Sequence, residues 1–156
     1  MGLGIEWVPS THFSLYFSPL TGRITIVNDD RLAEEGAFGV NDLDKTDTII
    51  HTNYPKVRYE FGARAVAKFQ YPLAKNIDFS SKLELFSNYL NHPERIDVDW
   101  QNMLVLKVND WLNANISTHL LYDYDTPFYG EDGLKIKGSK VQFKEVLAIG
   151  FMINLK

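Results

Sequence analysis

From Val57 to Asn88 the chain alternates between apolar and polar side chains with little interruption. Tyr59, Phe61, Ala63, Ala65, Ala67, Phe69 and Tyr71 fall on one side, with Glu60, Gly62, Arg64, Val66, Lys68 and Gln70 on the other. Past a turn-like stretch at Pro72-Leu73-Ala74-Lys75, Ile77, Phe79, Ser81, Leu83 and Leu85 alternate with Asp78, Ser80, Lys82, Glu84 and Phe86. A period of two puts alternate side chains on opposite faces of a sheet, so the pattern predicts two long antiparallel strands. Strands of soluble domains most often run about 5–6 residues. These run about twice that, near the 9–11 residues a tilted strand needs to cross a bilayer.

The remaining chain repeats the pattern. Residues 3–8 predict a short strand with Leu3, Ile5 and Trp7 on one face, and residues 12–17 set Phe13, Leu15 and Phe17 against His12, Ser14 and Tyr16. Ser18-Pro19-Leu20-Thr21-Gly22 has turn chemistry, and residues 23–28 predict another short strand. From Asp29 to Lys56 the alternation lapses into a polar loop with one helical turn at Arg31–Glu35. Three further strands follow, at 95–108, 112–124 and 141–155, separated by Asn109-Asp110-Trp111 and by a polar loop over 125–140. Asn102 and Glu145 interrupt otherwise apolar faces. All six prolines fall in predicted turns or loops, in keeping with their inability to donate to a ladder.

Connection length alternates as well: short at 9–11, 72–75 and 109–111, longer at 19–56, 90–94 and 125–140. Outer-membrane barrels have short turns at one end and longer loops at the other. Aromatic residues sit at the ends of the apolar rows, with alanine or aliphatic residues between them, as in the girdles of membrane barrels. Trial registers add two ion pairs. Tyr71 opposite Ile77 sets Arg64 opposite Glu84, and Tyr89 opposite Ile96 sets Asp78 opposite Lys107. The fold expected is therefore an all-β, antiparallel, up-and-down transmembrane β-barrel of seven or eight strands, or part of one, with residues 1–156 as a single domain. The count is seven if 23–28 lies within a loop and eight if it crosses.

Composition narrows the function classes. A net charge of −4 and a pI near 5.5 argue against a nucleic-acid surface. The absence of cysteine excludes disulfides and thiolate metal sites. Apolar runs such as Met103-Leu104-Val105-Leu106 fall far short of a spanning helix, a test that a barrel with a polar lumen escapes. Met1-Gly2-Leu3 opens without an export signal, and an odd strand count would place the first strand running toward the periplasm. The chain is accordingly expected to be the C-terminal portion of a larger barrel, partnered by the missing N-terminal strands of the same protein.

A resemblance points the same way. Leu83 through Leu90 with Pro93 and Ile96-Asp97-Val98-Asp99-Trp100, Ser18-Pro19-Leu20-Thr21-Gly22 with Ala37-Phe38-Gly39-Val40, and Gln142-Phe143-Lys144-Glu145-Val146 resemble an uncharacterised outer-membrane β-barrel family of Bacteroidota. The resemblance covers the whole chain, as the C-terminal half of longer members. It implies the cell outer membrane as location, the lipid bilayer and the barrel-assembly machinery as partners, and no catalytic residues. The ending Gly150-Phe151-Met152-Ile153-Asn154-Leu155-Lys156 is similar to a terminal barrel-assembly signal, but closes in lysine rather than an aromatic residue.

The candidate chemistry is electrostatic. Arg64, Lys68, Lys82, Glu84, Lys107 and His119 are expected to line a lumen. With Ile96 opposite Tyr124, Asp97 faces Asp123, and with Asp99 and Asp125 these make a candidate cation-attracting mouth. A solvated acidic rim, or pairing with Arg95 or Lys140, is the plainer reading. Ser117 and His119 share a strand face at a spacing of about 7 Å, long for a nucleophile and its base, so no enzymatic activity is expected. The other histidines are scattered, and Asp42-Leu43-Asp44-Lys45-Thr46-Asp47 lacks the turn glycine and closing glutamate of a calcium loop, so no metal and no cofactor are expected. The rival reading is a soluble β-barrel or sandwich that binds a small apolar ligand inside.

Overall fold

The computed structural model describes residues 1–34, 40, 56–124, 128–129, 135–136 and 141–151. Within them the chain is all-β, with one five-residue helix. The strands are β1 (Gly2–Ser10), β2 (Phe13–Ile26), β3 (Val57–Ala74), β4 (Ile77–Asn88), β5 (Ile96–Lys107), β6 (Leu112–Tyr122), β7 (Phe128–Tyr129), β8 (Lys135–Ile136) and β9 (Gln142–Phe151). Seven form one antiparallel sheet in the order β1-β2-β3-β4-β5-β6-β9, and β7 and β8 pair separately. Each strand of the large sheet is hydrogen-bonded to its predecessor, and β1 and β9 are open edges. The segment 42–47, read above as lacking the features of a calcium loop, lies outside the described residues together with Asp125, His51 and Lys140.

The predicted strands at 12–17 and 23–28 are one strand, β2, because the Ser-Pro-Leu-Thr stretch is a bulge rather than a turn. Ser18 pairs with Arg64 and Thr21 with Gly62, so Pro19 and Leu20 stand against Ala63 alone. Side chains stitch the bulge: the fully buried Ser18 hydroxyl donates to the Leu3 carbonyl oxygen (2.7 Å), and the Thr21 hydroxyl donates to Ser18 Oγ (2.8 Å). Pro9 and Pro72 likewise sit at register shifts, between Trp7 and Ser10 and between Pro72 and Ala74. These three prolines are therefore inside strands and not in turns. A bulge tolerates them because it leaves a residue out of the ladder. The β3–β4 turn shrinks to Lys75-Asn76, since Ala74 pairs with Ile77.

At the other end of β3, the backbone approach is close. A Cβ on Gly62 would sit 1.8 Å from the Ser87 carbonyl oxygen, an obstacle on the neighbouring backbone that no rotamer change relieves. Gly62→Ala is expected to cost at least the roughly 1–3 kcal/mol typical of overpacking. The check is the denaturation midpoint, followed by the β-sheet circular dichroism signal; an unchanged midpoint would reject the close Gly62–Asn88 pairing.

The two faces of the sheet differ in kind. Its buried side chains, Ser18, Thr21, Glu60, Val66, Phe86 and Asn88, all belong to the polar face. The large exposed apolar residues belong mainly to the other: Trp7, Phe17, Tyr59, Phe61, Phe69, Tyr71, Trp100, Phe143 and Leu147. Among the described residues the one buried apolar cluster, Val27, Ala33 and Val40 with Leu32 against it, belongs to the β2–β3 connection. There the helix α1 (Asp30–Glu34) starts on Asp29, whose Oδ1 accepts from the N–H groups of Arg31 and Leu32.

Aromatic rings gather at the short-turn end of the apolar face, where Trp7 meets Phe13, Phe69 meets Tyr71 and Phe79, and Trp111 stacks on Phe151. At the opposite end Phe61 meets Tyr89. From Tyr59 to Tyr71 is about 40 Å of strand at roughly 3.3 Å per residue. Asn102 and Glu145, the interruptions of the apolar rows, prove to be neighbours in one lateral line: Ser81 pairs with Asn102, Asn102 with Thr118, and Thr118 with Glu145. Asn102 Nδ2 donates to Thr118 Oγ1 (3.3 Å), and Trp100 Nε1 donates to Ser81 Oγ (3.0 Å). Within the line the Asn102–Thr118 bond joins β5 to β6, and the Trp100 ring bonds to its Ser81 end.

Candidate functional site

The polar face carries its charge in layers. Nearest the long connections, Glu60 is buried, at 4% exposure, and accepts two bonds from Arg23, at 2.6 Å from Nε and 2.7 Å from Nη2. Arg58 Nη2 donates to the same carboxylate at 2.9 Å. Arg23 also reaches Asp97 Oδ2 at 3.2 Å and lies over the Phe86 ring, 4.4 Å from its centroid. Two arginines and two carboxylates thus balance one another around a buried aromatic ring. The bidentate fork on Glu60 fixes geometry as well as charge.

The next layer holds Arg64, Glu84, Lys82, Asp99, Gln101 and His119. Arg64 Nε donates to Glu84 Oε1 (2.7 Å), and Lys82 Nζ lies 3.3 Å from Glu84 Oε2. His119 Nε2 sits 3.0 Å from Asp99 Oδ1, which also accepts from Gln101 Nε2 (2.9 Å). Toward the short turns, Lys107 Nζ pairs with Asp78 Oδ2 (3.0 Å). On this face opens a cavity of about 600 Å³, whose lining includes Lys68, Gln70, Ser80, Lys82, Gln101, Met103, Ser117, His119, Lys144 and Val146.

The residues expected to line a lumen, Arg64, Lys68, Lys82, Glu84, Lys107 and His119, thus share this one face. Both ion pairs expected from the trial registers exist, but diagonally. Arg64 stands opposite Phe86, and Asp78 opposite Val105. Of the aspartates in the candidate mouth, Asp97 is held by Arg23, and not by Arg95, which lies over the Tyr124 ring 3.8 Å from its centroid. Asp99 is held by His119 and Gln101. Val98 pairs with Tyr122, which puts Asp97 and Asp123 at facing positions just beyond the last pair, as the expected register requires. No group of three metal-ligating side chains occurs among the described residues. Ser117 and His119 share the cavity wall, and no hydrogen bond joins them.

In the β4–β5 connection, the Glu94 backbone N–H and the His92 ring together hold the Glu94 carboxyl below the usual carboxylate range.

Sequence reasoning missed Arg23 and Glu60, which lie on strands separated by the long β2–β3 connection. Their signal was available, as a lone arginine and a lone glutamate at polar-face positions of neighbouring strands. It also missed Lys144, whose alternation with Phe143 and Glu145 gave the clue. No family model, curated protein or solved structure matches the chain.

Proposed function

We propose that the chain forms part of an outer-membrane β-barrel of the structural or porin-like transport class, with its polar face turned toward a lumen and its apolar face toward lipid. The observation that carries this reading is the outward apolar face. It spans seven strands, and among the described residues no second layer covers it. A sheet in water must bury its apolar face against another layer, and monomeric soluble proteins rarely expose apolar patches beyond a few hundred Å². Hydrocarbon removes that need. The aromatic bands, the short and long connections at opposite ends, and a polar face with charges matched in layers fit the same arrangement. A soluble ligand-binding barrel would instead turn the apolar rows inward, whereas the cavity here opens on the polar face. The open edges at β1 and β9 leave room for further strands, which we assign to an N-terminal part of the same protein. Assembly by the barrel-insertion machinery follows from that location.

The test uses adjacent residues on opposite faces. The 156 residues hold no cysteine, so in a full-length protein cleared of any other cysteine Ala67→Cys and Lys68→Cys each carry one fluorescent label. In the full-length protein reconstituted into vesicles with brominated acyl chains, the label at 67 is expected to be quenched and the label at 68 to remain bright. Equal quenching at both positions, or none at either, sinks the reading.

A further inference from the structure

The basic residues of the cavity stand in one line. Lys68 pairs with Lys82, Lys82 with Gln101, Gln101 with His119, and His119 with Lys144, across five consecutive strands. Among the described residues, no aspartate or glutamate lines the cavity. The nearest carboxylates, Glu84 and Asp99, stand one row away and are already engaged, the first by Arg64 and Lys82, the second by His119 and Gln101. At the two ends of the line, Lys68 and Lys144 have no carboxylate within ion-pair distance among the described residues. Lys68 and Lys82 also oppose each other directly, a like-charge pairing that destabilises a ladder unless an anion lies between them.

We propose that Lys68, Lys82, His119 and Lys144 form an oxyanion-binding row that takes small solutes bearing phosphate or carboxylate groups. The lysines supply mobile point charges, each with three donors. Gln101 adds an amide to the line, and Ser80 and Ser117 stand one row below it with hydroxyl donors. Met103 and Val146, paired with those serines, add apolar surface to the cavity lining for the body of such a solute. At about 4.8 Å per strand, the four steps from Lys68 to Lys144 cover roughly 19 Å along the sheet. That length accommodates a solute with more than one anionic group, held by Lys68 and Lys82 on one side and by His119 and Lys144 on the other. A row of basic side chains across a lumen is also how anion pores select their solutes. The role as a filter rests on the lumen reading; the binding itself needs no membrane.

The test is calorimetric titration of the full-length protein in detergent micelles with inorganic phosphate and, separately, with citrate. At least one is expected to bind, and the affinity is expected to fall at least tenfold in the double variant Lys68→Gln/Lys144→Gln. Both positions are exposed, so the variant is expected to keep the wild-type circular dichroism spectrum. Lys107→Gln, on the same face but outside the cavity, is expected to bind within twofold of wild type. Preference for phosphate assigns the row to phosphorylated solutes, and preference for citrate to carboxylates. No binding of either anion, or wild-type affinity in the double variant, overturns the proposal. A failed titration beside successful lipid quenching removes the row and leaves the barrel; the reverse result removes the barrel and leaves the row.

Discussion

Replacing Glu60 with alanine is expected to destabilise the folded protein by about 3 kcal/mol, the low end of the range for removing one partner of a buried ion pair. The size comes from what remains. Arg58 and Arg23 both point at this carboxylate, with side-chain exposures of 13% and 41%. Arg23 keeps Asp97 and can turn partly to water, which limits the loss. Arg58, the less exposed of the two, loses its 2.9 Å contact to the carboxylate. By contrast, Lys107→Ala removes a pair in which both side chains are about half exposed, and is expected to cost under about 1 kcal/mol. Denaturant unfolding of the two variants side by side provides the measurement. A loss for Glu60→Ala no larger than for Lys107→Ala would mean that the Arg23–Glu60–Arg58 cluster contributes nothing to holding β2 against β3.

The second large effect concerns the opposite face. Leu83 lies in the middle of the apolar rows, between Ala67 and Trp100 on the neighbouring strands. If that face meets hydrocarbon, Leu83→Arg places a guanidinium near the bilayer midplane, at an expected cost of about 2–4 kcal/mol. Gln70→Arg, on the polar face and at the cavity wall, is expected to change stability by no more than about 0.5 kcal/mol. The measurement, on the full-length protein, is the equilibrium for folding into phosphocholine vesicles as a function of urea. Equal costs at the two positions would count against a lipid-facing surface, since water solvates an arginine at either place.

Much of the fold was legible because period two is a strong signal over strands this long. The face assignment of every residue from Val57 to Gln70 follows from alternation alone. The β5–β6 register was also accessible, with Ile96 opposite Tyr124 lying on the same line as the observed Val98–Tyr122 pair. Elsewhere the register slipped by two residues. Placing Tyr71 opposite Ile77 treats Pro72 through Lys75 as the turn, whereas the ladder continues through Pro72 to Ala74 and pairs Tyr71 with Phe79. A two-residue slip keeps every side chain on its correct face, so the ion partners remain neighbours and the pairs survive as diagonals. It nonetheless hides the line of lysines, because Lys68 then faces Ser80 rather than Lys82. Pro19 misled for a related reason. Flanked by serine, threonine and glycine it has turn chemistry, but Ser18 and Thr21 satisfy the local backbone and the strand runs on through the bulge. The buried Arg23–Glu60 contact joins residues far apart in the chain, and alternation does not report which arginine meets which glutamate.

The unpaired borders of the ladder have their own consequence. Among the described residues, alternate amide and carbonyl groups along β1 and β9 have no strand to meet, and hydrocarbon would offer them neither donor nor acceptor. In a bilayer, the seven-stranded sheet of the described residues would therefore need both borders covered. In the barrel proposed above, the strands that cover those two borders would set the girth of the cylinder and how far Lys68 stands from the wall it faces.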